Sequence, residues 1–197
     1  MKRQHSRAPS NIISRFIFDR SGVAAVEFVL VAPLIILIYL GAVELSMGLE
    51  VDKNVSRASG IIADIVAQQP SVSKAQLEDI AKIGAATLYP YDRDTDGAGI
   101  RITAIQVEQK KNNPAATVSW SYGEGGLTAD TKGAGIDIPV PLHAPGAFLI
   151  KVDVALSYVP ITTWGLRNIA STTGALPLSE TYYLGPRLSN AIACSNC

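Results

Sequence analysis

The sequence predicts an α+β fold: one long N-terminal helix, transmembrane in its first half, packs with its outer half on a small antiparallel sheet. Three observations predict it. Residues 28–43 carry no charged side chain. Residues 51–66 then repeat apolar side chains at three- and four-residue spacing, the period of an amphipathic helix. From Gly99 onwards, short runs rich in Ile and Val alternate with polar residues, as in half-buried strands.

Residues 23–49 are predicted to span a membrane. A helix of this length extends about 40 Å, against a hydrocarbon core of about 30 Å. Glu27 and Glu44 lie near the two ends of the apolar run, where a carboxylate can reach the interface. For Glu44 the sequence offers no partner, and we interpret it as an interfacial residue. The alternative is a core helix of a soluble protein, but uninterrupted apolar stretches of this length usually span.

The charges that flank this helix predict its orientation and the organisation of the chain. Five basic residues precede the helix, whereas three acidic residues, Glu44, Glu50 and Asp52, follow the apolar run 28–43 before Lys53. Because positive residues favour the cytoplasmic side, residues 1–22 are predicted to be a basic cytoplasmic leader. Residues 23–49 form the single span, in the inner membrane, and residues 50–197 form one extracytoplasmic, periplasmic α+β domain.

A short motif stands at the membrane edge. In the stretch 21–28, Gly22 comes five residues before Glu27 and just upstream of the apolar helix. This resembles the processing site of type IV prepilins, and most closely the TadE/TadG-like minor pilins, or pseudopilins, of the tight-adherence (Flp) pilus system. The resemblance implies that a prepilin peptidase cuts between Gly22 and Val23. It also implies assembly roles for Glu27 and Phe28, with other pilins and pilus-assembly proteins as partners and adhesion as the process served.

The chemistry of Glu27 supports such an assembly role. Cleavage after Gly22 would create a free amine on Val23, whose unperturbed pKa is about 7.7–8.0. In a packed assembly, the Glu27 carboxylate of one helix could neutralise the amine of a neighbour. An unpaired carboxylate is costly in low dielectric, so this pairing would set the helix register. The alternative is that Glu27 only reaches the headgroups from the start of the helix.

Further elements follow in order. The long helix is predicted to continue to Ala67, and Gln68–Pro70 stops it. Ser71 or Ser73 caps a second helix, since residues 73–76 have the capping-box form. Residues 99–109 and 117–122 are predicted to pair as an antiparallel hairpin around a polar turn at 110–114.

The C-terminal half supplies the remaining strands. Residues 136–142 contain two prolines, which favours an edge strand or an extended connection. Residues 148–160 are the strongest predicted strand, 172–178 are predicted to be a turn, and 180–184 a short final strand. The predicted sheet therefore has three to four strands.

Two cysteines, Cys194 and Cys197, end the chain. Outside the inner membrane they would meet an oxidising compartment, so we expect a small terminal disulfide, with an intermolecular bridge left open. A thioredoxin-like site lacks a following helix and a βαβ pattern. A zinc site needs two further ligands, and the chain has only two histidines.

Three aspartates at alternate positions, Asp92, Asp94 and Asp96, precede Gly97. This pattern is the first half of an EF-hand calcium loop, but Thr103 stands where the bidentate Glu is expected. No second helix follows either. We favour a solvated acidic turn and keep a partial calcium site as the alternative, with no other cofactor expected.

The remaining sequence argues against other classes of function. Lys and Arg balance Asp and Glu, and no basic stripe with interleaved aromatics indicates nucleic acid. No P-loop, nucleophile elbow, zinc-protease or dinucleotide motif is present, so an enzyme is not predicted. Two hypotheses remain: a membrane-anchored assembly protein, or a membrane-tethered binding module or enzyme of the envelope with the helix as a plain anchor.

Overall fold

A computed structural model describes residues 22–91, 97–109, 114–160 and 174–197 of the chain. Its elements, in chain order, are helix α1 (Val23–Ala67), strand β1 (Ser71–Val72), helix α2 (Lys74–Ala86) and strands β2 (Gly99–Gln109), β3 (Pro114–Glu124), β4 (Phe148–Tyr158), β5 (Leu176–Leu184) and β6 (Ala193–Cys194). This confirms the predicted α+β class.

Helix α1 is continuous over 45 residues and ends at Ala67, as the sequence predicts. The chain divides into two compact units, residues 1–43 and Glu44–Cys197. In the second unit, one side of α1 is fully buried. Its buried side chains follow the predicted three-and-four spacing: Val51, Val55, Ala58, Ile62, Ala63 and Val66.

Helix α2 starts with the predicted capping box. Ser73 Oγ accepts a hydrogen bond from Gln76 N, and Gln76 Oε1 accepts one from Ser73 N at 2.9 Å. Two otherwise unpaired backbone donors of the helix start are thereby satisfied. Gly84 faces α1, where a Cβ added to it would overlap the side chain of Ile62. The absence of a side chain at position 84 therefore lets the two helices approach closely.

The main sheet is antiparallel, with strand order β3-β2-β4-β5 in the described residues. The β2–β3 hairpin is confirmed, and β3 is longer than predicted, because it reaches from Pro114 to Glu124. Strand β4 lies between β2 and β5, and most of its side chains are buried, including Asp153 among the polar ones.

Two apolar clusters lie on opposite faces of this sheet. The larger joins the buried side of α1 and α2 to the inner residues of β2, β3 and β4, among them Ile102, Trp120 and Val152. The smaller contains Ile105, Val107, Ala116, Leu149 and, from the connection before β4, Ile138. Since residues 125–147 supply this outer cover, the sheet is sandwiched between helices and an irregular connection.

The structure corrects the predicted end of the sheet. Strand β5 begins at Leu176, so the predicted turn at 172–178 is wrong from that residue on, and the final strand is longer than 180–184. Leu176 pairs with Tyr158, so β5 follows β4 to its last residue. Pro177 is tolerated because β5 is an edge strand. Residues 161–173 lie outside the described part of the chain.

The connection 136–142 contains no described strand. Just before this segment, Gly135 forms an isolated bridge with Thr117 of β3. The segment itself ends in a short 3₁₀ turn at Val140–Leu142. Of the two alternatives left open by the sequence, the extended connection is the correct one. Its two prolines lack the backbone donors that a paired strand needs.

The C-terminus closes the domain through contacts that the sequence does not predict. Strand β6 pairs in parallel with β1. Trp120 Nε1 donates a 2.7 Å hydrogen bond to the carbonyl of Ile192, whose side chain is buried in the main core. Ile192 is therefore part of the core, and Cys194 packs against it.

Candidate functional site

The first half of α1 exposes a continuous apolar surface. No charged residue occurs between Phe28 and Val43. Within the described residues, one helix is long and apolar enough to cross a membrane, and none of its most apolar 18-residue window is buried. Phe28 is 70% exposed and Leu30 72% exposed. Such a surface is costly in water, because it leaves unburied the apolar area that folding normally removes from solvent.

The residues predicted for processing and assembly follow one another at the start of α1. Gly22 directly precedes the helix and Val23 is its first residue. Glu27 and Phe28 lie about one turn further on, and all four are exposed. A Cβ added at Gly22 meets no atom within 4 Å. In the described part of the chain, nothing covers the peptide bond between Gly22 and Val23.

Glu44 has a partner in the folded unit that the sequence does not predict, while its interfacial position stays a prediction. Tyr158, the last residue of β4, donates a hydrogen bond from its hydroxyl to Glu44 Oε1 at 3.1 Å. Burial, together with this hydrogen bond and the nearby carboxylate, raises the pKa of Tyr158 to about 12. The phenol therefore stays protonated and remains a donor at neutral pH.

The sequence contained one signal for this contact. Tyr158 ends the most apolar strand, and a buried tyrosine hydroxyl usually requires a hydrogen-bond partner. The partner itself could not be identified, since Glu44 lies 114 residues earlier in the chain.

The two C-terminal cysteines are joined by a disulfide, with their Cα atoms 5.7 Å apart. The loop that they close is attached to the start of α2. Asn196 Oδ1 accepts a 2.7 Å hydrogen bond from the backbone N–H of Lys74, the first residue of that helix. Ser195 N also donates to the carbonyl of Val72. The four-residue loop thus acts as a second cap for α2.

A cleft of about 410 Å³ lies between α1 and the edge strand β5. Its apolar lining residues include Ile61, Ile65 and Tyr182. Two charged lining residues, Arg187 and Asp64, form an ion pair at 2.5 Å. Arg57 also lines the cleft. The volume is in the range of small-molecule sites, and the lining combines apolar and charged groups.

The outer face of the sheet carries a polar network centred on Asp153. Arg101 Nη2 lies 2.8 Å and Lys151 Nζ 3.0 Å from Asp153 Oδ2, and Thr181 donates to Oδ1 at 2.7 Å. Arg101 also contacts Asp130 at 3.2 Å, in the connection after β3. The charges in this network balance, so we assign it the role of attaching the connection to the sheet.

The three aspartates of the predicted calcium loop, Asp92, Asp94 and Asp96, lie outside the described residues. Among the residues that the structure does describe, no group of three or more His, Cys, Asp or Glu side chains could hold a metal ion. The partial calcium site therefore stays a prediction.

Comparisons with known proteins give one match. Residues 22–61 match the model of the family described as TadE-like protein. This confirms the resemblance predicted from the stretch that begins at Gly22. No curated protein matches the chain, and no solved structure does.

Proposed function

Residues 22–61 match the TadE-like family model, and from this match we propose that the protein is a membrane-anchored minor pilin, or pseudopilin, that takes part in the assembly of a tight-adherence (Flp) pilus. The observation that best supports this proposal is that the family match begins at Gly22, the residue after which cleavage is predicted. It then covers the whole exposed apolar surface of α1. A plain anchor needs only apolar residues, whereas this helix also matches a family model from Gly22 onwards, and this supports assembly over plain anchoring.

We place the protein in the inner membrane, with the basic leader in the cytoplasm and the domain from Glu50 onwards in the periplasm. The support is the excess of Lys and Arg before the helix. A prepilin peptidase is the proposed processing enzyme. Other pilins and pilus-assembly proteins are the proposed partners, because the exposed side chains after Phe28 can pack on other helices within the bilayer.

Glu27 is the residue that we propose to control assembly. It is exposed on α1, four residues after Val23, so it lies on the same helical face as the amine that cleavage would create. Inside a membrane, a carboxylate without a partner is unfavourable, and the amine of a neighbouring subunit would neutralise it. Register between helices would then follow from a single pair of charges.

The test combines N-terminal sequencing with one substitution. We expect the protein purified from membranes to begin at Val23, and Glu27→Ala to remain in the membrane while pilus assembly is lost. Glu50→Ala is the matched control, since Glu50 is also an exposed carboxylate on α1. An intact Met1 would contradict the processing step, and normal piliation in Glu27→Ala would contradict the assembly role.

A second candidate function is a membrane-tethered binding module. The observation that favours it is the cleft beside β5, whose size and mixed lining suit a ligand. In that case α1 would be a plain anchor. Glu27→Ala and Glu50→Ala would then behave alike, and the N-terminus would not begin at Val23.

A further inference from the structure

Glu44, the first residue after the apolar run, makes a hydrogen bond within the folded unit Glu44–Cys197. Glu44 is the first charged residue after the stretch 28–43, so it marks the level at which α1 leaves the hydrocarbon. The hydroxyl of Tyr158 is bonded to this same carboxylate. One residue of the sheet is thereby held at the level of the membrane surface.

The hydrophobic core of the domain begins within a few residues of Glu44. Met47 already packs against the main core, and Val51 is completely buried in it. Met47 lies three residues after Glu44, which is about 4.5 Å along a helix. The lower boundary of the core therefore falls within about one turn of the residue that marks the interface.

A second tyrosine packs against Tyr158, and a third lies nearby in the chain. The ring of Tyr91 meets that of Tyr158 edge-to-face, with centroids 6.4 Å apart. Tyr89, two residues earlier in the turn that follows α2, is 79% exposed. Tyrosine is enriched at membrane interfaces because its ring is apolar and its hydroxyl polar. An exposed tyrosine therefore suits the headgroup layer, where its ring can contact acyl chains while its hydroxyl stays hydrated.

We propose that this tyrosine cluster, Tyr89, Tyr91 and Tyr158 together with Glu44, is a lipid-contacting base, and that it seats the domain in the headgroup layer of the membrane that α1 enters. Tyr89 is the residue that inserts among the lipids. The proposal rests on the membrane anchoring put forward above. It adds that the domain itself contacts lipid, rather than standing free of the surface.

The experiment measures fluorescence quenching of the full chain in vesicles of phosphatidylcholine and phosphatidylglycerol. Two sets of lipid are used, one with bromine near the headgroup end of the acyl chains to probe position 89 or 188, and one with bromine near the terminal methyl end to probe position 34. Tryptophan is introduced by Tyr89→Trp in a Trp164→Phe background, and the signal of the buried Trp120, which all variants share, is subtracted. Since Tyr89 is exposed, the substitution leaves the core unchanged.

Two further variants serve as controls. Leu188→Trp places the probe on a residue that is 72% exposed, beside Arg187, whose N–H is bonded to the carbonyl of Ala67. Ala67 is 23 residues beyond Glu44, which corresponds to about 35 Å along α1. Leu34→Trp places the probe inside the apolar run and reports on anchoring alone.

We expect brominated lipid to reduce the emission of Tyr89→Trp and Leu34→Trp and to leave Leu188→Trp unchanged. Quenching of Leu34→Trp without quenching of Tyr89→Trp would overturn the lipid-contacting base and leave the anchor intact. Quenching of Leu188→Trp to the same degree as Tyr89→Trp would also overturn it, because contact would then not be confined to the base. If Leu34→Trp is not quenched, the membrane anchoring fails and the base with it.

Discussion

Asp153 binds three side chains from three neighbouring strands: Arg101 in β2, Lys151 in β4 and Thr181 in β5. Burial by itself raises the pKa of this carboxyl. The hydrogen bonds from Thr181, Lys151 and Arg101 outweigh the effect of burial, so the pKa lies below its ordinary value. The charged form is therefore the one that the fold stabilises.

Asp153→Asn should consequently destabilise the domain in a pH-dependent manner. At pH 7 we expect a loss of about 2 kcal/mol, because two partly buried cations lose their counter-charge. A carboxyl with a lowered folded pKa contributes stability above the ordinary Asp pKa of about 3.9, and the contribution is lost as the pH falls through the folded value. The difference between wild type and variant should therefore shrink in acid.

Thermal unfolding followed by circular dichroism between pH 7 and pH 3 provides the measurement. Glu108→Gln is the control, because Glu108 is an exposed carboxylate in β2. A difference between wild type and Asp153→Asn that is constant across this pH range would show that the charge of Asp153 does not stabilise the fold.

The helix pair α1–α2 depends on a glycine at the contact. Ile62 is fully buried, and both Cγ1 and Cδ1 of its side chain occupy the space into which a Cβ at Gly84 would extend. Gly60 offers a contrast in α1, since a Cβ there would meet only Tyr182 Cε2, at 4.0 Å. The same substitution should thus have opposite effects in the two helices.

Gly84→Ala should lower the melting temperature, whereas Gly60→Ala should raise it slightly. Alanine gains about 0.5–1 kcal/mol over glycine inside a helix. At Gly84 an overpacking cost of about 1–3 kcal/mol opposes that gain. Differential scanning calorimetry of both variants gives the comparison. Ile62→Val should partly rescue Gly84→Ala, and stabilisation by Gly84→Ala alone would refute the close approach.

The unit Glu44–Cys197 draws part of its core from α1, the helix that also carries the apolar run. Four large side chains of α1, Val51, Val55, Ile62 and Val66, are fully buried. Each contributes about 1.5–3 kcal/mol on burial. Their sum is comparable to the whole stability of a typical domain, about 5–15 kcal/mol. The part of α1 from Glu44 onwards therefore belongs to the same folding unit as the sheet.

Two fragments test this dependence. A fragment that starts at Glu44 should unfold cooperatively on heating. One that starts at Gln68 should show no cooperative transition and should bind a dye that detects exposed apolar surface. Circular dichroism and dye fluorescence provide the readouts. Cooperative melting of the shorter fragment at the same temperature would show that α1 is dispensable for the fold.

The predictions from sequence succeeded where the signal is periodic and local. The apolar run, the stripe from Val51 to Val66 and the capping box at Ser73 are each defined within a few helical turns. The extent of β5 was predicted incorrectly, because its first residues, Leu176 and Pro177, pair only by following Tyr158 and Ser157 of β4. Their own composition resembles a turn.

What the sequence alone determined about this protein is therefore its α+β class, its long apolar helix and the motif from Gly22 to Phe28, since periodicity and spacing are readable along the chain. Only the tertiary structure decided that Glu44 binds Tyr158, that Asp153 joins three strands and that the C-terminal loop caps α2. Each of these contacts joins residues far apart in the chain. Strand pairing and core packing bring such residues together, and no local pattern records the result.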